Sequence, residues 1–328
     1  MQNEPEDLSR DELIGLLRDA WAVDVVEMTY APVGFGSYHW IVEERAGRRW
    51  FVTVDSLKPS RGRLPAAIFA DLRCAYETAA SLSKLGVLFV VAARSTRSNE
   101  IVVPLRSEWA VAVFPFVEGT QPGYGAWPDA GERSRAAGLI GVLHSTPPPA
   151  SIRLWDAEIP GRSTLFDSLQ DRWTSGPYGE HARQLLVSCR HGLKALFDYY
   201  DALVLEVRAS GDPMVVTHGE PHSGNFISAP DGKLLLVDWD TVRLAPRERD
   251  LETMVGDDSQ ALLAYQRTAG AVTPRAAAME LFRARWALDD ISSFIHRLRG
   301  VHGESADDLK SWNSLNHYLP VEKNWPAL

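Results

Sequence analysis

The sequence predicts an α+β chain of two lobes: a small antiparallel sheet with one helix, then a mainly helical lobe. Three observations lead there. Apolar residues fall in short β-rich runs through the first third of the chain. After the composition break Glu118-Gly119-Thr120-Gln121-Pro122-Gly123 they recur at helical spacing. One strand–loop–strand unit, Met214 to Leu244, interrupts those helices. The division falls at 1–117 and 118–328, with Phe114 to Gly119 as the hinge.

Ser9 to Trp21 reads as a helix, with Ser9 as N-cap and Leu13, Ile14, Leu16, Leu17 and Ala20 as its apolar stripe. Val23–Pro32, Tyr38–Glu44 and Arg49–Val54 read as strands, joined by turns at Gly34-Phe35-Gly36-Ser37 and Ala46-Gly47. Pro65 to Leu85 is a second helix, in which Phe69, Leu72, Ala75, Tyr76, Ala79, Ala80 and Leu82 recur at helical spacing until Gly86 stops it. Phe89–Arg94 and Trp109–Val117 complete the meander. Past the hinge, helices are expected near Glu132–His144, Glu180–Arg208, Asp258–Thr268, Pro274–Arg299 and Asp307–Tyr318. Trp286 and Phe294 sit among Leu281, Phe282, Leu288, Ile291 and Ile295, and are expected in the core.

Apolar residues make up 45% of the chain, and the formal net charge is −9. An acidic balance argues against general nucleic-acid binding, which needs a basic face. It suits a cationic small-molecule substrate. Cys74 and Cys189 form no CxxC or Cys/His zinc pattern, so two free thiols in a reducing compartment are expected. The N-terminus, Met1 to Asp7, lacks the basic and apolar regions of a signal peptide. No apolar run approaches the ~20 residues that span a bilayer. The expectation is a cytoplasmic protein with no membrane, nucleic-acid or obligate protein partner.

The chemistry concentrates in His218-Gly-Glu-Pro-His-Ser-Gly-Asn225, which follows the short strand Met214–Thr217. Gly219, Pro221 and Gly224 make it a loop, because they cannot continue a helix or a central strand. Phe226-Ile227 begins a strand and Asp231-Gly232 turns it. Leu234–Val237 returns it and delivers Asp238-Trp239-Asp240. Carboxylates and an amide thus meet at the mouth of one hairpin. Phosphoryl transfer needs such a set: an acceptor for the substrate hydroxyl proton, and oxygen ligands for a magnesium ion that bridges the phosphates. Glu220 fits the first role, and Asn225 and Asp238 the second. Zinc or iron ligation by His218, Glu220 and His222 is a competing reading. A zincin would need both histidines on one helix face, which Gly219 and Pro221 forbid.

This segment resembles the H-x-D-x-x-x-x-N catalytic loop and following metal-binding Asp of aminoglycoside phosphotransferases and choline-kinase-like enzymes. The tail Asp238-Trp-Asp-Thr-Val-Arg-Leu-Ala-Pro-Arg-Glu-Arg-Asp-Leu251 is similar in particular to spectinomycin phosphotransferases. Val113-Phe-Pro-Phe-Val-Glu-Gly119 and Leu139-Ile-Gly-Val-Leu-His144 resemble the same family, so the resemblance covers nearly the whole chain. It implies a protein-kinase-like fold that binds ATP or GTP with Mg2+ between its lobes. It implies transfer of the γ-phosphate to a hydroxyl of an aminoglycoside, an aminocyclitol or a related polar molecule, a chemistry of antibiotic resistance. By the same resemblance Glu220 and His218 are catalytic, and Asn225 and Asp238 bind metal. Gly34, Gly36, Ser37, Thr53, Phe116 and Glu118 contact the nucleotide, and His222, Asp240, Asp257 and Asp290 contact the substrate.

Ordinary roles stand beside several of these. Gly34 to Ser37 is equally a plain hairpin turn. Asp257, Asp258, Asp289 and Asp290 are each equally a solvated helix face or a cap. Arg247-Glu-Arg-Asp250 reads more as a structural charge cluster than as catalytic. Two positions depart from the family. Glu220 stands where it has Asp, one methylene further out, and a shift of about 1 Å in a catalytic group can cost ~100-fold. Thr53 stands where it has the phosphate-binding Lys, so no ion pair forms with Glu77, the expected partner on the next helix. Lys58, Arg61 and Arg63 are candidates for the missing charge. These departures keep open a nucleotide- or small-molecule-binding protein without ordinary phosphotransfer. A homoserine- or amino-sugar-kinase-like enzyme is a further alternative.

Overall fold

In the computed structural model, which describes residues 1–327, the first helix α1 (Arg10–Trp21) starts at Ser9, whose hydroxyl accepts from the Glu12 amide. Strands β1 (Val25–Tyr30), β2 (Tyr38–Glu44), β3 (Arg49–Ser56), β4 (Val103–Leu105) and β5 (Trp109–Pro115) form one antiparallel sheet in the order β1-β2-β3-β5-β4. The pleat sorts its side chains onto two faces. Trp40, Val42, Val52, Val54, Val111 and Val113 bury against Leu13, Leu17 and Trp21 of α1. Ala110, Ala112 and Phe114 face the other way, against Leu72, Tyr76 and Ala80 of α2 (Pro65–Lys84). On β3, Phe51, Thr53 and Asp55 alternate with the buried valines and face a cleft between this sheet and the helical lobe. Helix α2 belongs to both lobes, because its Ala75, Ala79 and Leu82 pack with Phe89, Ile140 and Leu236.

The run Phe89–Arg94, expected as a strand, is instead an extended link that pairs briefly with two sheets. The Leu236 amide donates to the Phe89 carbonyl (2.7 Å) and the Val91 amide to the Leu236 carbonyl (3.1 Å). The Arg94 amide then reaches the Val113 carbonyl (2.7 Å). Burial from both lobes gives the segment its strand-like composition. The edge strand is β4, where Pro104 costs only a donor that an edge can spare.

The second lobe holds α3 (Ala130–Ser145), α4 (Gly179–Ser188), α5 (Arg190–Ala209), α6 (Glu248–Met254), α7 (Ser259–Ala269), α8 (Ala276–Arg299) and α9 (Ala306–Tyr318). Between α5 and α6 lie two strand pairs: β6 (Met214–Thr217) with β9 (Arg243–Pro246), and β7 (Phe226–Ser228) with β8 (Leu234–Leu236). The single helix expected over Glu180–Arg208 is bent at Cys189, whose ψ of 6° leaves the helical well. Leu186, Cys189 and Leu193 still bury in one core with Leu288 and Ile291 of α8, so the apolar period runs through the bend. Strand β9 and helix α6 were not foreseen, because their arginines and acids disguise buried elements. Among the described residues no helix is long and apolar enough to cross a membrane.

Helices α3 and α7 touch at Gly141. A Cβ there would lie 2.0 Å from the Thr268 hydroxyl and 2.7 Å from the Tyr265 carbonyl. The backbone cannot yield cheaply, so Gly141→Val is expected to destabilise the protein by about 1–3 kcal/mol. Urea unfolding followed by circular dichroism checks this, and an unchanged midpoint would show that the helices have room to part.

Candidate active site

The loop after β6 is held from beneath. Gly219 adopts φ +105°, and a Cβ on it would lie 2.3 Å from the Arg249 guanidinium. Only glycine meets both constraints. The turn aims two consecutive amides at one carboxylate: His218 N and Gly219 N donate to Asp250 at 2.8 and 2.6 Å. His144 Nε2 of α3 lies 3.0 Å from the same carboxylate. Burial alone would raise the Asp250 carboxyl, but the His144 hydrogen bond and the Arg249 charge hold it below its ordinary range. The charge cluster around Asp250 is thus an internal brace of the loop.

His218 is fully buried. Its Nε2–H donates to the Val237 carbonyl (2.9 Å), and its Nδ1 accepts from the Glu220 amide (3.2 Å). Burial lowers its pKa to about 4, so the ring is neutral and both nitrogens are engaged. That removes it as a metal ligand. Among the described residues no group of three or more His, Cys, Asp or Glu is placed to hold a metal, so the zinc or iron reading of His218, Glu220 and His222 fails.

Asn225 Nδ2 donates to the Glu220 carbonyl (2.9 Å), which leaves its Oδ1 as a free acceptor at the cleft. The Val237 amide donates to the Asn225 carbonyl (3.0 Å), placing Asp238 beside it. Asp238 has φ +67°, a conformation that non-glycine residues keep only where the surroundings enforce it. Asp240 and Glu220 complete the group on this wall of the cleft. Burial and then the charge of Asp240 push Glu220 up to about 8. Burial, Asp240 and Glu220 push Asp238 well above the carboxylate range. Asp240 is raised too, chiefly by burial, with Arg243 opposing. The Asn225 Oδ1 and Asp238 carboxylate fit Mg2+, which takes one or two protein oxygens and completes its shell with phosphates and water.

The opposite wall is less familiar. Gly34 and Gly36 use positive φ (+69° and +108°) and, with Ser37, line the cleft. Thr53 also lines it, with its hydroxyl 3.2 Å from His39 Nδ1. Where the resembled family has a Lys–Glu ion pair, Asp55 accepts from the Ser37 hydroxyl and, at 3.4 Å, from the Tyr76 hydroxyl of α2. Burial raises Asp55 to about 7. Glu77 is turned outward toward Arg73 (3.9 Å), because one residue on a helix is a 100° rotation. None of the three candidate replacement cations is free: Lys58 pairs with Asp7, Arg61 with Asp289 (2.7 Å), and Arg63 with Asp71.

The other expected contacts divide. Phe116, His222, Asp240 and Asp290 face the cleft. Glu118 does not, since its exposed side chain pairs with Arg49. Asp257 is exposed outside the cleft, and Asp258 caps α7. Asp290 accepts from the Tyr318 hydroxyl (2.7 Å), and burial raises it to about 6. Trp286, expected in the core, lines the cleft and stacks on Tyr124 (6.4 Å between centroids, 29°). Phe294 is buried as expected, but it meets Phe35 of the glycine turn across the cleft (5.9 Å). Helical period alone does not tell a core-facing aromatic from a cleft-facing one. The cleft measures about 2140 Å³. That exceeds the 300–1,000 Å³ usual for one ligand and leaves room for two.

The model of the phosphotransferase enzyme family matches residues 29–299. A search of the curated proteins finds no match. Among solved structures, a spectinomycin phosphotransferase bound to ADP and spectinomycin is similar, with TM-score 0.73 and 14% identity over 96% of this chain and 95% of that one. An amicoumacin kinase is similar with TM-score 0.62 and 13% identity, over 96% and 94% of the two chains. The choline kinase of Streptococcus pneumoniae gives TM-score 0.62 and 10% identity, over 94% and 97%.

Two outcomes follow from this geometry. Asp250→Ala strands the two loop amides and the Arg249 charge in the interior, and should cost about 3–5 kcal/mol in urea unfolding. A loss below 1 kcal/mol would mean that the loop does not rest on Asp250. The raised carboxyls also set a pH trend. Asp290, Asp55 and Glu220 titrate near 6, 7 and 8 when folded and near 4 when unfolded, so folding favours their protonated forms. The buried His39, His218 and His222, lowered to about 4, oppose this trend below about 6.5, so the ligand-free protein should lose stability as pH rises from about 6.5 to 8. Thermal melts across that range check it, and Glu220→Gln should flatten the upper part of the curve.

Proposed function

As a member of the phosphotransferase enzyme family the chain is a phosphotransferase, and we propose that it uses ATP or GTP with Mg2+ to phosphorylate a hydroxyl of an amine-bearing aminocyclitol, aminoglycoside or related polar molecule. The observation that carries this reading is the convergence of the Glu220 carboxyl, Asn225 Oδ1 and the Asp238 carboxylate at one wall of a cleft sized for two ligands. Asn225 and Asp238 would hold Mg2+, whose chemistry there would be neutralisation of the phosphate charge.

The rest falls to side chains of this chain. A nearby cation favours the charged form of a carboxyl, so Glu220 is drawn down from about 8 when the cleft fills. Its carboxylate then accepts the hydroxyl proton while the substrate oxygen bonds to the γ-phosphorus and the bond to the leaving β-phosphate oxygen breaks. His218 stays neutral and fixes the Glu220 backbone through its Nδ1. Most of the rate enhancement then comes from positioning and charge neutralisation. The acceptor side suits an amine: Asp290 is acidic, and Tyr124, Trp286 and Phe294 present aromatic surface. His222 adds a ring to the same wall and meets Tyr124 edge-on (4.7 Å between centroids). The spectinomycin bound to the similar phosphotransferase supports an aminocyclitol acceptor and an antibiotic-inactivating role.

One observation favours a second reading. Asp55 and Thr53 give the sheet wall an acid and a hydroxyl where the resembled family has a phosphate-binding lysine, which suits a binding protein without ordinary transfer. Glu220→Gln decides between them. In a phosphotransferase it should lower kcat by about 100- to 10,000-fold and leave nucleotide affinity within about two-fold. Mass-shift assays on aminocyclitols, aminoglycosides and amino alcohols supply the readout. Nucleotide binding without product on any of them would leave the binding-protein reading.

A further inference from the structure

Three arginines from three parts of the chain meet at a single carboxylate beside the cleft. Arg63 comes from the loop before α2, Arg153 from the link after α3, and Arg243 from the start of β9. Asp71, in the second turn of α2, pairs with Arg63 through Oδ2 and with Arg153 through Oδ1, and Arg243 lies 3.8 Å from Oδ1. Arg63, Asp71 and Arg243 line the cleft. We infer that this cluster is an anion subsite that takes a phosphate or carboxylate group of a cleft ligand.

Charge and donor geometry carry the inference. Within 4 Å three guanidiniums meet one carboxylate, an excess of two positive charges in the cluster itself, with Asp240 a further neighbour of Arg243 alone. Each guanidinium carries five N–H donors in a planar fork matched to phosphate and carboxylate oxygens. Asp71 offers two oxygens, so most of those donors have no anionic partner. Arg243 turns one nitrogen to the Val242 carbonyl (2.8 Å) and keeps its other, toward Asp71, at the cleft. Its side chain is only 19% exposed, so an anion there would meet a partly desolvated guanidinium, where attraction is stronger than in bulk water. The surroundings sharpen the point. Glu220, Asp238, Asp240 and Asp55 make the reaction centre acidic, and Lys58 and Arg61 are paired elsewhere. Arg285 and Lys310 also line the cleft, but on the helices of the second lobe; on the side of α2 an anionic group meets its cations here.

The anion has two possible sources, the phosphate tail of the nucleotide or an acidic group on the acceptor, and one set of titrations separates them. Inorganic pyrophosphate, without Mg2+, is titrated into the full chain by calorimetry, with melting temperature as a check on folding. Arg243→Gln and Arg63→Gln, the two arginines that line the cleft, should each weaken pyrophosphate by about tenfold, the loss of one charge-assisted fork. Asp71→Asn should tighten it, because the excess charge rises from two to three. A purely structural tie between α2 and the second lobe predicts otherwise: Asp71→Asn would lower the melting temperature with no gain in affinity. That result, or pyrophosphate affinity unchanged in both arginine variants, overturns the subsite. If Arg243→Gln weakens Mg-ATP but not adenosine, the subsite takes the nucleotide phosphates. If Mg-ATP affinity is unchanged while pyrophosphate is lost, it takes an acidic group of the acceptor. The subsite does not rest on phosphotransfer: a wild-type protein that binds pyrophosphate through these arginines but no nucleotide would sink the proposed function and leave the subsite standing.

Discussion

The architecture of the reaction wall depends on one buried carboxylate. Asp250 accepts from the His218 and Gly219 amides and faces His144 from the other side. Two consecutive amides can point at one acceptor only because Gly219 takes φ +105°. Arg249, under that glycine, balances the charge and also ties Thr217 and Thr241 together (2.9 and 2.8 Å). From this anchor the positions of both functional segments follow. His218 reaches to the Val237 carbonyl, one residue before Asp238. Its other nitrogen takes the Glu220 amide. Glu220 and Asp238 are thus set from opposite edges of one neutral imidazole. Deep burial makes this ring a rigid spacer, since a group titrating near 4 keeps its donor and acceptor assignments through the neutral range.

The same wall is electrostatically unfinished without ligands. Glu220, Asp238 and Asp240 crowd together: Asp240 raises both others and Glu220 raises Asp238, while burial raises Asp240, and Asp55 faces them from the sheet. Such a set costs stability wherever it ionises, and evolution tolerates that cost mainly where a counter-charge arrives with the ligand. Here the counter-charges would be a divalent cation and an amine-bearing acceptor, with the negative phosphates drawn toward the arginines around Asp71. One cleft then sorts its ligands by sign.

Much of the fold was legible in the sequence, and the failures have physical causes. The sheet, α2 and the β7–β8 hairpin follow from periodicity and turn chemistry, which are local properties. The Phe89–Arg94 link looks like a strand in the sequence because burial by two lobes makes the run apolar. The bend at Cys189 was invisible because the apolar stripe runs through it. In the site, the segment 218–240 was readable because glycines and prolines fix its course. Side chains that reach the cleft from helices were not. Tyr76 replaced Glu77 by a one-residue rotation, and Trp286 turned from core to cleft. The arginines at 63, 153 and 243 come together only through tertiary structure, so no local spacing could reveal them.

Thr53 and Asp55 have a wider meaning than a lost lysine. A cation on β3 would let the sheet grip the nucleotide phosphates and so help to draw the lobes together. In this chain the lobes are joined by contacts of the protein with itself. Arg61 reaches Asp289 on α8, Phe35 of the glycine turn packs on Phe294, and the Gln2 amide donates to Asp307 on α9 (2.9 Å). The Ser37–Asp55–Tyr76 bonds stiffen the corner where the ion pair would have been. Closure of the cleft is therefore carried by fixed interlobe contacts rather than by charge on the sheet. On the other wall Asn225 directly precedes β7, Asp238 lies two residues past β8 and Arg243 opens β9, so in the proposed reading the phosphates would rest on segments grouped around the loop that Asp250 braces.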